Sequence, residues 1–373
     1  MSTTPDEIID YTPSYCNGCG ARLVGTPTLV KKRQEIVLPP IVPKYVEHRS
    51  YQCDCKYCNT VTTGELPHGL RANIQYGESI QSLVTYMSVY QLLPAQRLTL
   101  FLKDFANLKM SEGTIFNILS SMSRKANPTY EVIRQKVQAS PCVGGDETGI
   151  HINKEKGWFW IFQNKKLTFI HASLSRGYNT ILGCFPFGFP NSYYVSDSLP
   201  AQLKVDSLGK QLCLAHLLRE LNKFEKVFKS QWATQTKLLF KKVLDYKRTM
   251  RPLDYSYNNL SIVQFENELT QLLSIDLTDK NKSEKAFVKR LKKRRDAIFT
   301  FLYHLEVPPD NNASERGIRN VKVKMKISNQ FKNYDFAQHF AVIRSVIDTT
   351  IKNSQDVFIA LTNLAEQNVT TAE

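Results

Sequence analysis

Apolar side chains recur at helical spacing in the stretch that follows residue 77. Three sets share the spacing i, i+3, i+4 and i+7. They are Ile80, Leu83, Val84 and Met87; Leu98, Phe101, Leu102 and Phe105; and Ile115, Ile118, Leu119 and Met122. Pro94 stops the first set, and Ser111 is a favourable N-cap for the third. The pattern therefore predicts a helical segment over residues 71–138.

The second and third of these helices are joined by a short turn at 107–110, which is typical of a helix-turn-helix. In that interpretation the helix from Ser111 is the recognition helix. Its residues Asn117, Arg124 and Lys125 face away from the apolar stripe and are candidate DNA contacts. An ordinary helical hairpin predicts the same pattern, so both interpretations stay open.

The pattern becomes strand-like after Pro141. The predicted elements are strands at 142–152, 157–163 and 167–173, a helix at 178–184, strands at 192–196 and 211–215, and a helix from about His216. Three antiparallel strands followed by alternating helix and strand are the element order of an RNase H-like α/β fold. We therefore expect a mixed five-stranded sheet whose first and fourth strands are neighbours.

Three acidic residues stand where such a fold would gather them. Asp146 lies in the first strand, Asp197 ends the fourth, and Glu315 lies in the first turn of a helix that Asp310 would cap. Three carboxylates are hard oxygen ligands suited to two Mg2+ or Mn2+ ions at a phosphodiester. Each acid also has a structural explanation, namely a Gly-rich turn, a strand end, or a first-turn acid paired with Arg319.

Basic residues outnumber acidic ones, 49 to 34, which leaves a net charge of +15 on 373 residues. Such a charge favours polyanion partners, above all double-stranded DNA. A hydrophobic content of 42% supports a globular core. No apolar run is long enough to span a membrane, and the start of the chain is polar and acidic, unlike a signal peptide. We expect a cytoplasmic protein without membrane partners.

The positive charge is concentrated between Lys280 and Arg295, where nine of sixteen residues are Lys or Arg. A charge run is often only a solvated helix face. Its position ahead of the helix that carries Glu315 favours contact with the DNA backbone instead. The candidate contacts are Lys289, Arg290, Lys292, Lys293, Arg294 and Arg295, followed by Arg316, Arg319, Lys322 and Lys324.

Two C-x2-C pairs, Cys16 with Cys19 and Cys55 with Cys58, lie before residue 60. In a reducing compartment such pairs usually bind zinc, because each supplies two corners of a tetrahedron. Cys53 could replace Cys55 as the third ligand, and free thiols in a small subdomain are the alternative. Four protein ligands leave no open position for water, so one structural Zn2+ is expected.

Several strings in this chain closely resemble the transposases of the insertion-sequence 66 family. They are Asp146-Glu-Thr-Gly149 with Trp158-Phe-Trp160, Cys213-Leu-Ala-His216-Leu-Leu-Arg219, and Asp310-Asn-Asn-Ala-Ser-Glu315-Arg-Gly-Ile-Arg319. The similarity runs collinearly from the cysteine pairs to about residue 350. It implies a DDE recombinase in which Asp146, Asp197 and Glu315 form the catalytic triad.

The resemblance further implies a bacterial DNA transposase that binds element ends and catalyses two-metal hydrolysis and strand transfer. It also implies a homo-oligomer on DNA that works with small accessory proteins and associates with the nucleoid. His216 and Arg219 are candidate auxiliary catalytic residues, because they begin a helix near the expected carboxylates. Two alternatives are an inactive or domesticated DNA-binding relative and an RNase H-like nuclease that cuts without joining.

These features together predict how the chain is divided. The RNase H-like core is interrupted by a polar helical stretch between its second and third carboxylates. The predicted parts are a zinc-binding segment (1–70), a helical DNA-binding domain (71–138), the first part of the core (139–230), a basic all-α insertion (231–306), the second part of the core (307–355) and a C-terminal tail (356–373).

Overall fold

The computed structural model describes residues 3–67, 70, 72–276 and 281–367. The strands are β1 (Gln52–Asp54), β2 (Val61–Thr63), β3 (Cys142–Ile152), β4 (Glu155–Gln163), β5 (Thr168–Ser173), β6 (Phe189–Ser196) and β7 (Ser207–Leu212). The α-helices are α1 (Glu78–Thr85), α2 (Ala95–Ala106), α3 (Glu112–Gln138), α4 (Tyr178–Cys184), α5 (Pro200–Leu203), α6 (Leu214–Phe228), α7 (Gln231–Thr249), α8 (Leu260–Leu273), α9 (Lys282–Lys293), α10 (Asn312–Ser328), α11 (Tyr334–Lys352) and α12 (Val357–Glu366).

The central sheet has the strand order β5-β4-β3-β6-β7. Strands β3, β4 and β5 form an antiparallel meander, and β6 and β7 run parallel to β3. The predicted mixed five-stranded α/β sheet, with the first and fourth core strands as neighbours, is confirmed. The turn between β3 and β4 is short because Asn153 and Lys154 both have positive φ, the conformation of a two-residue hairpin loop.

The last strand and the helix after it differ from the prediction. The sequence predicted a strand at 211–215 and a helix from about His216, whereas β7 ends at Leu212 and α6 begins at Leu214. Cys213 is extended and forms the N-cap of α6. The apolar side chains of the first turn of α6 are buried, which made the start of this helix look like the end of a strand.

The helical segment shares one hydrophobic core with the sheet. Helix α3 packs against β5 and α11, and the Tyr130 hydroxyl donates a hydrogen bond to Ile170 O at 2.9 Å. The predicted cap is present, since Ser111 Oγ accepts from Thr114 N at 3.1 Å. However, α3 continues through Pro128 to Gln138, far beyond the apolar set that ends at Met122, so it is a long core helix.

Every regular element described between α6 and α10 is helical. Helices α7, α8 and α9 bury Trp232, Phe240 and Phe287 in a second hydrophobic cluster, which also includes Leu212 of β7. The inserted helices are therefore packed onto the edge of the sheet. Residues 277–280, and with them Lys280 at the start of the basic run, lie outside the described residues.

The segment that was expected to be a tail contains α12, which packs against α1 and α3. Ser82 Oγ donates to Leu361 O at 3.3 Å, and residues 368–373 lie outside the described part of the chain. The division of the chain into domains stays a prediction. None of the helices within the described ranges has the length and apolar composition of a membrane span.

Candidate active site

Asp146 and Asp197 stand on neighbouring parallel strands. Asp146 lies within β3, and Asp197 directly follows β6. The register pairs Gly144 with Val195, and continuing it by two residues brings Asp197 level with Asp146. Asp146 is also paired with Ile161 of β4 in an unbroken ladder. The alternative in which Asp146 shapes a Gly-rich turn is therefore wrong.

Two glycines before Asp146 let neighbouring elements approach both faces of β3. A Cβ on Gly144 would lie 2.7 Å from Asn311 Oδ1, just before α10. On the opposite face, a Cβ on Gly145 would overlap the Tyr194 hydroxyl. Because successive side chains of a strand alternate between faces, Asp146 shares with Gly144 the face that α10 covers.

Glu315 lies in the first turn of α10 and faces the start of α6. Its Oε1 accepts a hydrogen bond from Arg219 Nη2 and lies 3.6 Å from His216 Nδ1. The structural alternative for this acid was an ion pair with Arg319 on its own helix. In the described contacts, the cationic partner is Arg219 from α6 instead. The structure thus brings both candidate auxiliary residues to the third carboxylate.

Asp197 and Glu315 are close enough to Asp146 to affect its ionisation. The pKa of Asp146 is raised from 3.8 to about 7, mainly because burial disfavours its charged form. The charges of Glu147, Asp197 and Glu315 raise it further, against a hydrogen bond that Glu147 N donates to Asp146 Oδ1 at 2.9 Å. Asp197 is oriented in the same way, because Leu199 N donates to its Oδ1 at 2.8 Å.

This acidic set has the donor chemistry of a Mg2+ site, since its oxygens are hard ligands and a cation would relieve the repulsion at Asp146. The oxygens of the three carboxylates do not all lie within 4.8 Å of one another. In the described ranges, the group whose donor atoms all lie within 4.8 Å of one another consists of Cys213, His216 and Glu315. Asp146 and Asp197 are not in such a group with Glu315.

A chain of buried polar side chains fastens the start of α10 to the sheet. Asn311 Nδ2 donates to Gly145 O at 2.6 Å, and Ser314 Oγ donates to Asn311 Oδ1 at 2.6 Å. Gln163 Nε2 donates to Ser314 Oγ at 3.1 Å, and Lys352 Nζ donates to Gln163 Oε1. These bonds fix the position of α10, and hence of its carboxylate, relative to β3.

The Cys-x-x-His and Asp-Asn-Asn strings contact each other directly. Leu214 N donates to Pro309 O at 3.0 Å, and Asn311 N donates to Cys213 Sγ at 3.2 Å. The predicted cap needs a correction, because the N-cap residue of α10 is Asn311 and not Asp310. The carboxylate of Asp310 accepts instead from the backbone amide of the first residue of α10.

Glu147 is a buried acid at this site that the sequence patterns did not single out. Its side chain is 3% exposed, and its Oε1 accepts from Arg176 Nη2 at 2.6 Å. Its Oε2 accepts from Gln202 Nε2 at 2.5 Å. The sequence offered one signal for it: Glu147 follows Asp146 in a predicted strand, where neighbouring side chains face opposite sides of the sheet. Its partners Arg176 and Gln202 are distant in the chain, so the sequence could not reveal that this acid is buried and paired.

Most of the predicted DNA contacts lie on the surface. The exposed ones are Asn117, Arg124, Lys289, Lys292, Lys293, Arg316, Arg319 and Lys322. Arg290 and Arg295 are half-buried in ion pairs with Glu220 and Glu266, at 2.6 and 2.9 Å. Arg294 is also half-buried. The exposed subset lies on α3, α9 and α10.

Two predicted DNA contacts are turned toward other parts of the protein. Lys125 donates a hydrogen bond to Ala365 O of α12. Lys324 is only 9% exposed and does not belong to the exposed basic surface. Lys322 and Lys324 are close in sequence, but the helical period places Lys324 on the same face as the buried Ile318 and Val321.

The two cysteine pairs form matching turns. Cys16 O accepts from Gly20 N at 2.9 Å, and Cys55 O accepts from Asn59 N at 2.8 Å. Gly20 and Asn59 both have positive φ, 74° and 53°. Cys53 stands apart from this repeat, in β1. Across the described residues, no three of the cysteine sulphurs lie within 4.8 Å of one another, so the four-thiolate site stays a prediction.

The family model described as the IS66 family of transposases matches residues 73–339. This span contains the whole central sheet, the inserted helices and α10 with Glu315, and it covers well over half of the chain. No curated protein matches the chain significantly. The resemblance predicted from the sequence strings is confirmed, and the chain belongs to the IS66 transposase family.

Proposed function

We propose that this protein is a DDE-type DNA transposase in which Asp146, Asp197 and Glu315 bind two Mg2+ or Mn2+ ions. The observation that carries the proposal is the placement of the three carboxylates in β3, directly after β6 and in the first turn of α10, where the charges of Asp197 and Glu315 add to burial in raising the pKa of Asp146. When bound, the ions would activate the attacking oxygen and stabilise the leaving oxygen of a phosphodiester. Water would cut the element end, and the freed 3′-hydroxyl would attack target DNA in line.

The residues of this chain would prepare the site for that reaction. Backbone amides orient both aspartates through Oδ1, and the polar chain behind α10 positions the helix that carries Glu315. Arg219 is 56% exposed, so its guanidinium can exchange the Glu315 carboxylate for a DNA phosphate. His216 would remain beside Glu315 and help to orient it.

DNA would be held by the exposed basic residues of α9 and α10. Arg316, Arg319 and Lys322 lie on the same helix as Glu315, so phosphates bound there would pass close to the carboxylates. A cleft of about 970 Å³ beside Gly144 and Asn311 is lined by further basic residues, namely Lys136, Lys165 and Lys166. Affinity should fall steeply with salt, because binding releases condensed counterions.

The amino-terminal segment would bind one structural Zn2+ through Cys16, Cys19, Cys55 and Cys58. The matching turns around Gly20 and Asn59 support this ligand set and favour Cys55 over Cys53. The exposed Asn117 and Arg124 of α3 would contact DNA in a helix-turn-helix manner. A homo-oligomer on DNA, accessory proteins and a place at the nucleoid remain proposals from the family.

The test is a strand-cleavage and strand-transfer assay with element-end DNA and Mg2+. Asp146→Asn, Asp197→Asn and Glu315→Gln should each abolish cleavage and transfer, while binding to the ends, measured by fluorescence anisotropy, stays close to that of the wild type. Asp104→Asn, which neutralises an exposed acid on α2, is the matched control and should keep full activity.

The same assay separates the alternatives. Binding without cleavage by the wild type would support an inactive relative, and cleavage without joining would support a nuclease. Cleavage that persists in Asp146→Asn would overturn the assignment of the carboxylates.

A further inference from the structure

A second group of potential metal ligands lies where α6 meets α10. The Sγ of Cys213, a ring nitrogen of His216 and a carboxylate oxygen of Glu315 all lie within 4.8 Å of one another. His216 Nδ1 is 3.6 Å from Glu315 Oε1, is shielded from solvent, and has no hydrogen-bond partner among the described residues. An unpartnered buried nitrogen beside a carboxylate and a thiol is the feature that needs an explanation.

The chemistry of this group differs from that of the three carboxylates. Thiolate, imidazole and carboxylate together suit Zn2+ or Co2+, which take four ligands in a tetrahedron, whereas Mg2+ prefers oxygen alone. Three protein ligands would leave one position for water. The Cys-x-x-His spacing places Cys213 at the N-cap and His216 in the first turn of α6, so both side chains leave the same end of one helix.

The surroundings of Cys213 suit a metal-bound thiolate. The residue is 1% exposed, and burial raises the pKa of its thiol. Against this, it stands at the N-terminus of a helix of 15 residues, where the helix dipole and backbone amides favour an anion. Asn311 N donates a hydrogen bond to its Sγ at 3.2 Å. Hydrogen bonds of this kind hold a metal ligand in its binding orientation. The loop that provides the amide also leads into the helix of Glu315, so this contact joins the start of α6, which carries Cys213 and His216, to the start of α10.

We propose that Cys213, His216 and Glu315 bind one thiophilic divalent ion, of which Zn2+ is the physiological candidate. On binding, the Cys213 thiol gives up its proton to solvent, and Glu315 exchanges its hydrogen bond from Arg219 for the metal. A further consequence rests on the proposed function. Because Glu315 would belong to both sites, an ion held here keeps it from Asp146 and Asp197, so Zn2+ inhibits Mg2+-dependent strand cleavage.

The binding test is a Co2+ titration of the full chain carrying Cys16→Ser and Cys58→Ser, which remove one sulphur from each cysteine pair. Tetrahedral Co2+ with a thiolate ligand has a charge-transfer band and intense visible bands. One equivalent should give these bands, and adding Cys213→Ser should abolish them. His216→Ala should weaken binding at least about tenfold. Cys142→Ser, a half-buried cysteine at the start of β3, is the matched control and should leave the bands unchanged.

Bands that persist in Cys213→Ser, or that do not change in His216→Ala, would overturn the proposal. This measurement contains no DNA, so it succeeds or fails independently of transposase activity. In the cleavage assay, the rate of each protein is expressed relative to its own rate without Zn2+. The Zn2+ concentration that halves this rate should be at least about tenfold higher for Cys213→Ser than for the wild type. An unchanged Zn2+ sensitivity would show that the ion does not act through this site.

Discussion

Asp146→Asn should stabilise the metal-free protein at alkaline pH. The folded protein holds the pKa of Asp146 at about 7, against 3.8 for an ordinary aspartate, because burial and neighbouring charges disfavour ionisation. Between these two pH values the folded state keeps a proton that the unfolded chain has lost. The stability that the protonated Asp146 contributes is therefore fully present below about pH 4 and is lost as pH rises to about 7.

The magnitude follows from the size of that pKa difference. Each unit corresponds to about 1.4 kcal/mol, so the ionised Asp146 costs at most about 4 kcal/mol at pH 8. Asparagine has the same shape without the charge, and its Oδ1 can still accept the hydrogen bond from Glu147 N. We expect the variant to gain about 2 to 4 kcal/mol in the free energy of unfolding at pH 8 and about 0 at pH 4.

The assay is urea unfolding followed by circular dichroism at several pH values from 4 to 8, in EDTA. In a parallel series without EDTA, Mg2+ should stabilise the wild type more at pH 8 than at pH 6, because a metal ligand must be deprotonated, and it should stabilise the variant much less. Asp104→Asn removes an exposed charge and should change stability by less than about 0.5 kcal/mol at every pH. A variant that is less stable than the wild type at pH 8, or a difference independent of pH, would refute the reasoning.

Three further predictions concern the packing around the site. Gly145→Ala should destabilise the protein by about 1 to 3 kcal/mol in urea unfolding, because the new methyl group overlaps the buried Tyr194 hydroxyl. The control is Gly149→Ala on the same strand, whose methyl group would enter open space, so its effect on stability should be neutral or slightly stabilising. Lys324→Met should stabilise by about 1 to 3 kcal/mol at pH 7, since burial lowers the pKa of Lys324 from 10.5 to about 8. The wild type should regain this stability as pH rises from about 8 to 10.5, and the exposed Lys326→Met should show neither effect. Asn311→Ala should lower the free energy of unfolding by about 1 to 3 kcal/mol, because Gly145 O and Ser314 Oγ lose their partner, and it should slow strand cleavage. Asn312→Ala, one residue on, is the control. Equal losses of stability and cleavage rate in both variants would count against a positioning role for Asn311.

The sequence determined the features that depend on near neighbours along the chain. Runs of β-branched and aromatic residues separated by charged turns were enough to predict the meander of β3, β4 and β5, and the N-cap at Ser111 was enough to place the start of α3. Short strings of residues were enough to identify the IS66 family. Asp146 and Asp197 were predicted at strand positions, and Glu315 in the first turn of a helix, from patterns of this local kind.

Tertiary structure alone decided which polar groups meet. Glu315 pairs with Arg219 from another helix and not with Arg319 on its own helix, and Glu147 is buried against Arg176. Lys324 turns inward although Lys322 and Lys326 on the same helix are exposed. Periods and caps arise from interactions within a few residues, so a sequence displays them directly. The partner of a buried charge is set by chain segments far apart in sequence that only the packed fold brings together, and no local pattern records that choice.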